Sequence, residues 1–436
     1  MAAQEIALPW GKEDIKLTLP ENWTVTARLT PAALAPANDP LEEVRRSLAA
    51  PIGSPPLEHQ LKPGMRVALV VDDGSRPTPV HLILPAVLEE LDKAGILRKD
   101  IILLPALGLH RAMTEEEMAQ RVGAEALSGL TWRNHDCDDE ESLVFLGTTS
   151  RGTPVTINKA VAEADQIISI GCIEPHIIAS FGGGAKNLVP GLVGRPTVAH
   201  NHTINCRPDT FNMVGQPIES NPMRLDLEEA AAMLQAPVFI VNAVLNSELK
   251  VVQVVAGSPI AAHRAGVETS ARLYGANIPT PADVVLTDSH PMDQDLRQGV
   301  KALANTVRAV RRGGVLITLV RAEEGVGVFG LANRKLPLGK SMLRLLAPLL
   351  VKFVPRLKIQ GMGEEDRFFL YFALQAMRHC TLLMFAPTIP QEVRENLPFI
   401  DFADSPEEAI QEARRRVKGP ADVLVFPHGG TTYPIL

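Results

Sequence analysis

Short runs of consecutive apolar residues alternate along the chain with longer stretches whose apolar positions recur every three or four residues, a pattern that predicts strands followed by helices. Residues 66–71 form a buried β-branched run, and 80–94 carry helical periodicity. The pair repeats at 100–105 and 114–122, where Thr114 with Glu117 three residues on supplies the two ends of a capping box. A third buried run, 166–170, leads into polar and glycine-rich sequence. Between Pro237 and Gly257 the rhythm breaks into two β-branched runs around Asn246 and Ser247, which predicts a hairpin. It then resumes with strands at 284–287, 314–319, 381–385 and 423–426 and a helix over 295–310. Such alternation predicts an α/β fold with mainly parallel sheets flanked by helices. Asn277, Pro279 and Pro281 interrupt the pattern, which divides the chain into an N-terminal domain 1–276 and a C-terminal domain 277–436.

With 436 residues, 46% of them hydrophobic and 21% charged, the chain exceeds one ordinary core and does not have the composition of a disordered protein. A net charge of -7 argues against a nucleic-acid partner, which usually meets a basic face. It leaves room for a small anionic substrate where Lys and Arg gather locally. Cys137, Cys172, Cys206 and Cys380 are scattered without a CxxC pair and read as reduced thiols of a cytoplasmic protein. The first residues lack the pattern of a secretory signal. The greasiest stretch, 343–354, is broken by Pro348 and Lys352 and falls short of the roughly 20 apolar residues a span requires, so no membrane partner is expected.

Ligands of open parallel sheets sit beyond the carboxyl ends of the strands, and there this chain is unusually polar. The first strand delivers Asp72, Asp73, Gly74, Ser75, Arg76 and Pro77; the second Gly108, Leu109, His110 and Arg111; the third Glu174 and His176. After His176 come Gly182, Gly183 and Gly184, then Lys186, then His200 and His202. Consecutive glycines permit positive φ and a close approach of backbone to a ligand. In the C-terminal half Asp295, Arg297, Gln298 and Lys301 follow a predicted strand, the last two a helical turn apart. A Walker A reading fails because Asn187 follows Lys186 where Ser or Thr is needed, and the first strand-helix turn has no GxGxxG. On residue chemistry alone, His110, His176 and His202 with a carboxylate would also suit a zinc-dependent hydrolase, and two free imidazoles would suit proton transfer near neutral pH.

These same segments resemble the LarA-type lactate racemases, nickel-dependent 2-hydroxyacid racemases and epimerases. The resemblance rests on six elements in order: Asp73 to Pro77, Gly108 to Glu117, Glu174 through Lys186 to Gly191, Thr197 to His202, Ala262 to Gly266, and Asp295 to Lys301. It implies a nickel-pincer nucleotide, a Ni(II) pyridinium-3,5-bisthiocarboxylic acid mononucleotide, with His202 as the protein's nickel ligand and Lys186 as the lysine that tethers the cofactor covalently. Gly182, Gly183, Gly184 and Asp73 fall among the cofactor-binding positions. His110 and His176 match the acid/base pair on the two sides of the substrate, while Arg76, Gln298 and Lys301 match the groups that hold its hydroxyl and carboxylate. The site is expected in the crevice between the domains. Gly182 stands where the family often has Ser, Ala185 where a basic residue is common, and Arg297 where lactate racemase has an aromatic residue. Arg297 is therefore expected to bind a larger or dianionic 2-hydroxy acid such as malate. Cofactor-making enzymes are the implied protein partners, and a homo-oligomer is compatible with the resemblance. A non-catalytic carrier of the nickel cofactor is the alternative outside catalysis.

Overall fold

The computed structural model describes residues 4–327, 329–356 and 362–436. The chain forms two compact units: the first comprises Ala33–Ile204 and Gln216–Leu273, the second the segment up to Ala32 together with Asn205–Gly215 and Tyr274–Leu436. The last crossing at Tyr274 lies close to the break suggested by the prolines, but a single cut between 276 and 277 overlooks the two earlier segments of the second unit. The reason is long-range pairing: Trp23–Arg28 is a strand laid parallel to Ala421–Phe426, with Trp23 buried beneath it. Local periodicity carries no trace of a partner so distant in sequence.

The first unit is built on a sheet ordered Val251–Gly257, Val238–Leu245, Gln166–Cys172, Val67–Asp72, Ile101–Ala106 and Thr131–Trp132. All neighbours are parallel except the hairpin that opens this order. Val67–Asp72 and Gln166–Cys172 are buried at every position. A strand covered on both faces needs apolar residues throughout rather than at alternate positions, which is why these runs read as continuous. The helix Val80–Lys93 packs Val80, Ile83, Leu84, Val87 and Leu91 into the same core as Leu69, Leu103 and Ile168. The helix Glu115–Val122 starts on the capping box, with Thr114 Oγ accepting from Glu117 N and Glu117 Oε2 accepting from Thr114 N.

The second unit carries an all-parallel sheet ordered Asp401–Ala403, Thr381–Phe385, Val310–Leu319, Ala282–Asp288, Ala421–Phe426 and Trp23–Arg28. An N-terminal hairpin, Glu5–Trp10 with Glu13–Thr18, adds Leu8 and Leu17 to its core. The helix expected over 295–310 ends earlier, at Thr306, because Val307–Ala309 tightens into a 3-10 turn and Val310 opens the next strand. Parallel strands bring their carboxyl ends to one edge, so in the first unit the segments after Asp72, Ala106 and Cys172 emerge side by side.

Candidate active site

At the end of Val67–Asp72 the chain turns sharply, with Ser75 N and Ser75 Oγ donating to Asp73 Oδ1 at 3.3 and 2.6 Å. Arg121, in the last turn of Glu115–Val122, pins this bend: it pairs with the Asp72 carboxylate and donates to the carbonyls of Asp72 and Arg76. The turn thereby aims Asp73 Oδ2 at His110 Nδ1, 2.5 Å away. The two oxygens of Asp73, expected among the cofactor-binding residues, serve Ser75 and His110. Burial alone would push this carboxyl up, but the hydrogen bond and charge of His110, with Ser75 and Arg76, hold it well below the usual carboxylate range. A carboxylate only accepts, so His110 carries a proton on Nδ1, and the neutral ring has its lone pair on Nε2. Arg76 Nη1 donates to Glu174 Oε1 at 2.9 Å, which ties the first strand end to the third.

His176 is held differently. It pairs with Ser180 in a tight hairpin, and its Nδ1 accepts from the amides of Ile178 and Ala179, both at 3.2 Å. Amides only donate, so in this conformation Nδ1 carries the lone pair and the neutral ring carries its proton on Nε2. The two histidines thus present opposite tautomers: one acceptor at Nε2, one donor.

Gly183 and Gly184 have φ of +73° and +65°, as the sequence suggested. The space a side chain would take, however, is filled by protein. A methyl on Gly183 would stand 2.7 Å from Asn242 Oδ1, and one on Gly184 3.0 Å from the His263 ring. A methyl on Gly182 would stand 3.3 Å from the Cys172 carbonyl, a tight contact that a small shift relieves. Internal packing therefore requires glycine at 183 and 184, whatever approaches them from outside. The loop's carbonyls converge on Arg224, a wholly buried guanidinium that donates to Ala179 O, Phe181 O, Gly182 O and Gly183 O. His263 Nε2 donates to Gly182 O at 2.8 Å, with Nδ1 accepting from Arg264. Arg264 in turn grips Glu228 through two contacts of 2.7 and 2.9 Å. Replacing Arg224 with lysine leaves one point charge for four carbonyls, since an ammonium lacks the planar fork. The Arg224→Lys protein should lose about 3 kcal/mol in urea unfolding and be cleaved faster between residues 179 and 186; unchanged stability and cleavage would show that the guanidinium is dispensable.

Directly after the glycines, Lys186 lies within the field of this group. Burial strips water from its ammonium and Arg76 and Arg224 repel it; Glu174 and Asp73 only partly compensate, and its pKa falls to about 7. Such an amine is a nucleophile at neutral pH. His202, on the helix Arg195–Thr203, donates from Nδ1 to Val198 O at 3.1 Å, so the neutral ring has its lone pair on Nε2, the arrangement that suits a metal ligand. The helix is anchored by the buried Asp226 carboxylate, which accepts from Asn201, Thr149 and Thr153 at 2.7, 2.5 and 2.7 Å. His200 bonds Thr153 at 2.8 Å and so belongs to that anchor.

In the second unit, Asp295 caps the helix Leu296–Thr306 by accepting from Gln298 N at 2.7 Å. Gln298 Oε1 is buried without a hydrogen-bond partner among the described residues. Arg297, expected to face a distal substrate carboxylate, pairs with Glu365 at 2.5 Å. Lys301 Nζ lies 3.9 Å from Met292 Sδ. The zinc alternative lacks its ligand set: among the described residues only Asp136, Cys137 and Asp138 form a group of three or more potential ligands close enough to share an ion.

Arg121, Arg224, Asp226 and Asn242 were not singled out in the sequence. The usable signal was the chemistry of Pro222–Ala231, where Arg224, Asp226 and Glu228 stand among buried positions and so demand partners.

A family model described as the lactate racemase N-terminal domain matches residues 10–211. The lactate racemase of Thermoanaerobacterium thermosaccharolyticum is 30% identical over 325 residues, 74% of this chain and 75% of that protein. The lactate racemase of Lactiplantibacillus plantarum is 28% identical over 395 residues, 89% of each chain. Among solved structures, the Thermoanaerobacterium thermosaccharolyticum lactate racemase apoprotein matches with a TM-score of 0.84 at 26% identity, covering 99% of this chain and 100% of that one. A Thermotoga maritima protein shares the fold at a TM-score of 0.65 and 18% identity, covering 93% of this chain and 100% of that one.

Proposed function

This chain belongs to the lactate racemase family, and on that premise we propose that it inverts C2 of a 2-hydroxy acid with the help of a nickel-pincer nucleotide. The observation that carries the reading is the junction of three strand ends in one charged group, Asp73 on His110 and Arg76 on Glu174, beside a Lys186 whose pKa is lowered by burial and by Arg76 and Arg224. When bound, the nucleotide supplies an acceptor for the hydrogen and electron pair leaving C2, since histidine cannot remove that hydrogen as a proton. The residues fit such a group: Lys186 offers a neutral amine to a thiocarboxyl, and His202 Nε2 offers the nitrogen donor that square-planar Ni(II) accepts.

In this reading His110 Nε2 takes the substrate hydroxyl proton, and Asp73 fixes the tautomer and stabilises the resulting imidazolium. Arg76 and Lys301 hold the carboxylate and hydroxyl oxygens of the substrate, and Gln298 donates its side-chain amide N–H to the carboxylate. His176 serves the opposite enantiomer only after its ring leaves the amides of Ile178 and Ala179, because Nδ1 must be protonated before Nε2 can give up a proton. The cytoplasmic setting and loading by cofactor-making enzymes belong to the same proposal. The test is to mature the protein with those enzymes and offer it single enantiomers of lactate and malate. Chiral chromatography should show inversion, and metal analysis nickel; a loaded protein that inverts no 2-hydroxy acid would be a carrier instead.

Substrate choice turns on Arg297. A dianionic substrate such as malate must replace Glu365 as its partner, so Glu365→Gln should shift the malate-to-lactate ratio of kcat/KM towards malate by about tenfold, and Arg297→Leu should shift it towards lactate. Equal ratios in all three proteins would remove Arg297 from substrate selection.

A further inference from the structure

The helix Lys340–Phe353 plays no part in the chemistry above, yet its surface is anomalous. Leu343, Ala347 and Val351 are buried, and the helix packs beside Glu364–His379. Its other side exposes Met342 at 47%, Leu345 at 73%, Leu349 at 53% and Phe353 at 50%. Spacings of three, four and four residues align these four side chains in one stripe. Single exposed apolar residues are ordinary, whereas a contiguous patch of large ones marks a surface that meets something.

Charge indicates what it meets. From 325 to 363 the sequence holds Arg334, Lys335, Lys340, Arg344, Lys352, Arg356 and Lys358 but no Asp or Glu, in a chain whose net charge is -7. Lys340 is committed to Asp401. Lys335, Arg344, Lys352 and Arg356 are exposed, and none has an ion pair among the described residues. A second copy of this chain would bring the same cations against them, and like charges across a two-fold contact oppose pairing.

We propose that this helix docks the protein on an anionic lipid surface. The stripe enters the boundary between headgroups and acyl chains, and the flanking cations meet lipid phosphates. The helix lies flat, since at about 1.5 Å per residue its 14 residues reach only about 21 Å. No described helix is long and apolar enough to cross a membrane. The sequence expectation of no membrane partner rested on the lack of a span, and an interfacial helix needs none.

The test is flotation of the full-length protein with phosphatidylcholine vesicles, with and without phosphatidylglycerol. Binding should be about tenfold stronger with the anionic lipid and should weaken with salt. Leu345→Glu with Leu349→Glu should abolish it. Arg344→Gln with Lys352→Gln, which leaves the stripe intact, should lower it about tenfold. Failure to bind either vesicle, equal binding to both, or binding indifferent to both double variants would overturn the proposal. So would a dimer, seen by light scattering, that Leu345→Glu dissolves, because the stripe would then be covered by a second copy.

Discussion

Replacing Lys186 with methionine should stabilise the cofactor-free protein and at the same time abolish racemisation. The two effects share one cause. In the folded chain the ammonium is stripped of water and repelled by Arg76 and Arg224, so its pKa falls from 10.5 to about 7. The unfolded chain therefore binds more protons between those two values, and stability rises with pH across that window. The full penalty acts below pH 7 and disappears above about 10.5. At about 1.4 kcal/mol per pKa unit, and with a discount for the part of the side chain that water still reaches, the burden is roughly 2–4 kcal/mol. The Lys186→Met protein should gain that amount in denaturant unfolding at pH 6 and nothing at the alkaline end. After maturation with the cofactor-making enzymes, its intact mass should lack the adduct carried by the unaltered protein, and chiral chromatography should detect no inversion. A variant that loads the cofactor covalently and turns over would remove Lys186 from the tether. One with a pH-independent stability gain would remove the buried charge from the account.

Much of this fold is readable from local sequence because its strands are either covered on both faces or paired with near neighbours. Residues 381–385 and the segments around 66–71 and 166–170 stand out as mainly apolar runs, and each is a strand. The capping box at Thr114 is equally local and equally present. What local reading misses is non-local. Trp23–Arg28 is an edge strand whose partner lies at the far end of the chain, and its alternating pattern does not reveal which unit it joins. The site follows the same division. Asp73, Arg76, His110 and Glu174 are legible because parallel strands must deliver their carboxyl ends to one edge. Arg224 and Arg121 are not, because their importance lies in carbonyls and a carboxylate supplied from elsewhere in the fold. The glycine run carries a second demand that local sequence does not show: Asn242, His263 and the Cys172 carbonyl leave no room for a side chain at 183 and 184, whatever else approaches the loop.

Asp73→Asn should be the most damaging isosteric substitution in the first unit. The change adds or removes almost no volume, so it tests the charge and the tautomer alone. An asparagine can turn its amide towards His110 Nδ1, which moves the ring's proton to Nε2 and leaves nothing there to accept a substrate proton. If its oxygen faces the ring instead, the tautomer survives but the imidazolium loses its counter-charge. In either orientation kcat should fall by about 10²–10⁴ for both enantiomers, with little change in KM. His110→Ala should fall at least as far and, unlike Asp73→Asn, recover in part when imidazole is added. Combining the two should cost little more than His110→Ala, because the carboxylate acts through the ring. Stability supplies a separate readout. The Asp73 carboxyl is held well below its ordinary 3.8, so it stabilises the fold above that value and this contribution is lost as pH falls through the folded-state pKa. Asp73→Asn should thus be less stable than the unaltered protein at pH 7, with the gap closing in strong acid. A kcat within about threefold of the unaltered protein in both directions would mean that His110 does not work through Asp73, and the acid/base assignment would have to move to other groups of this site.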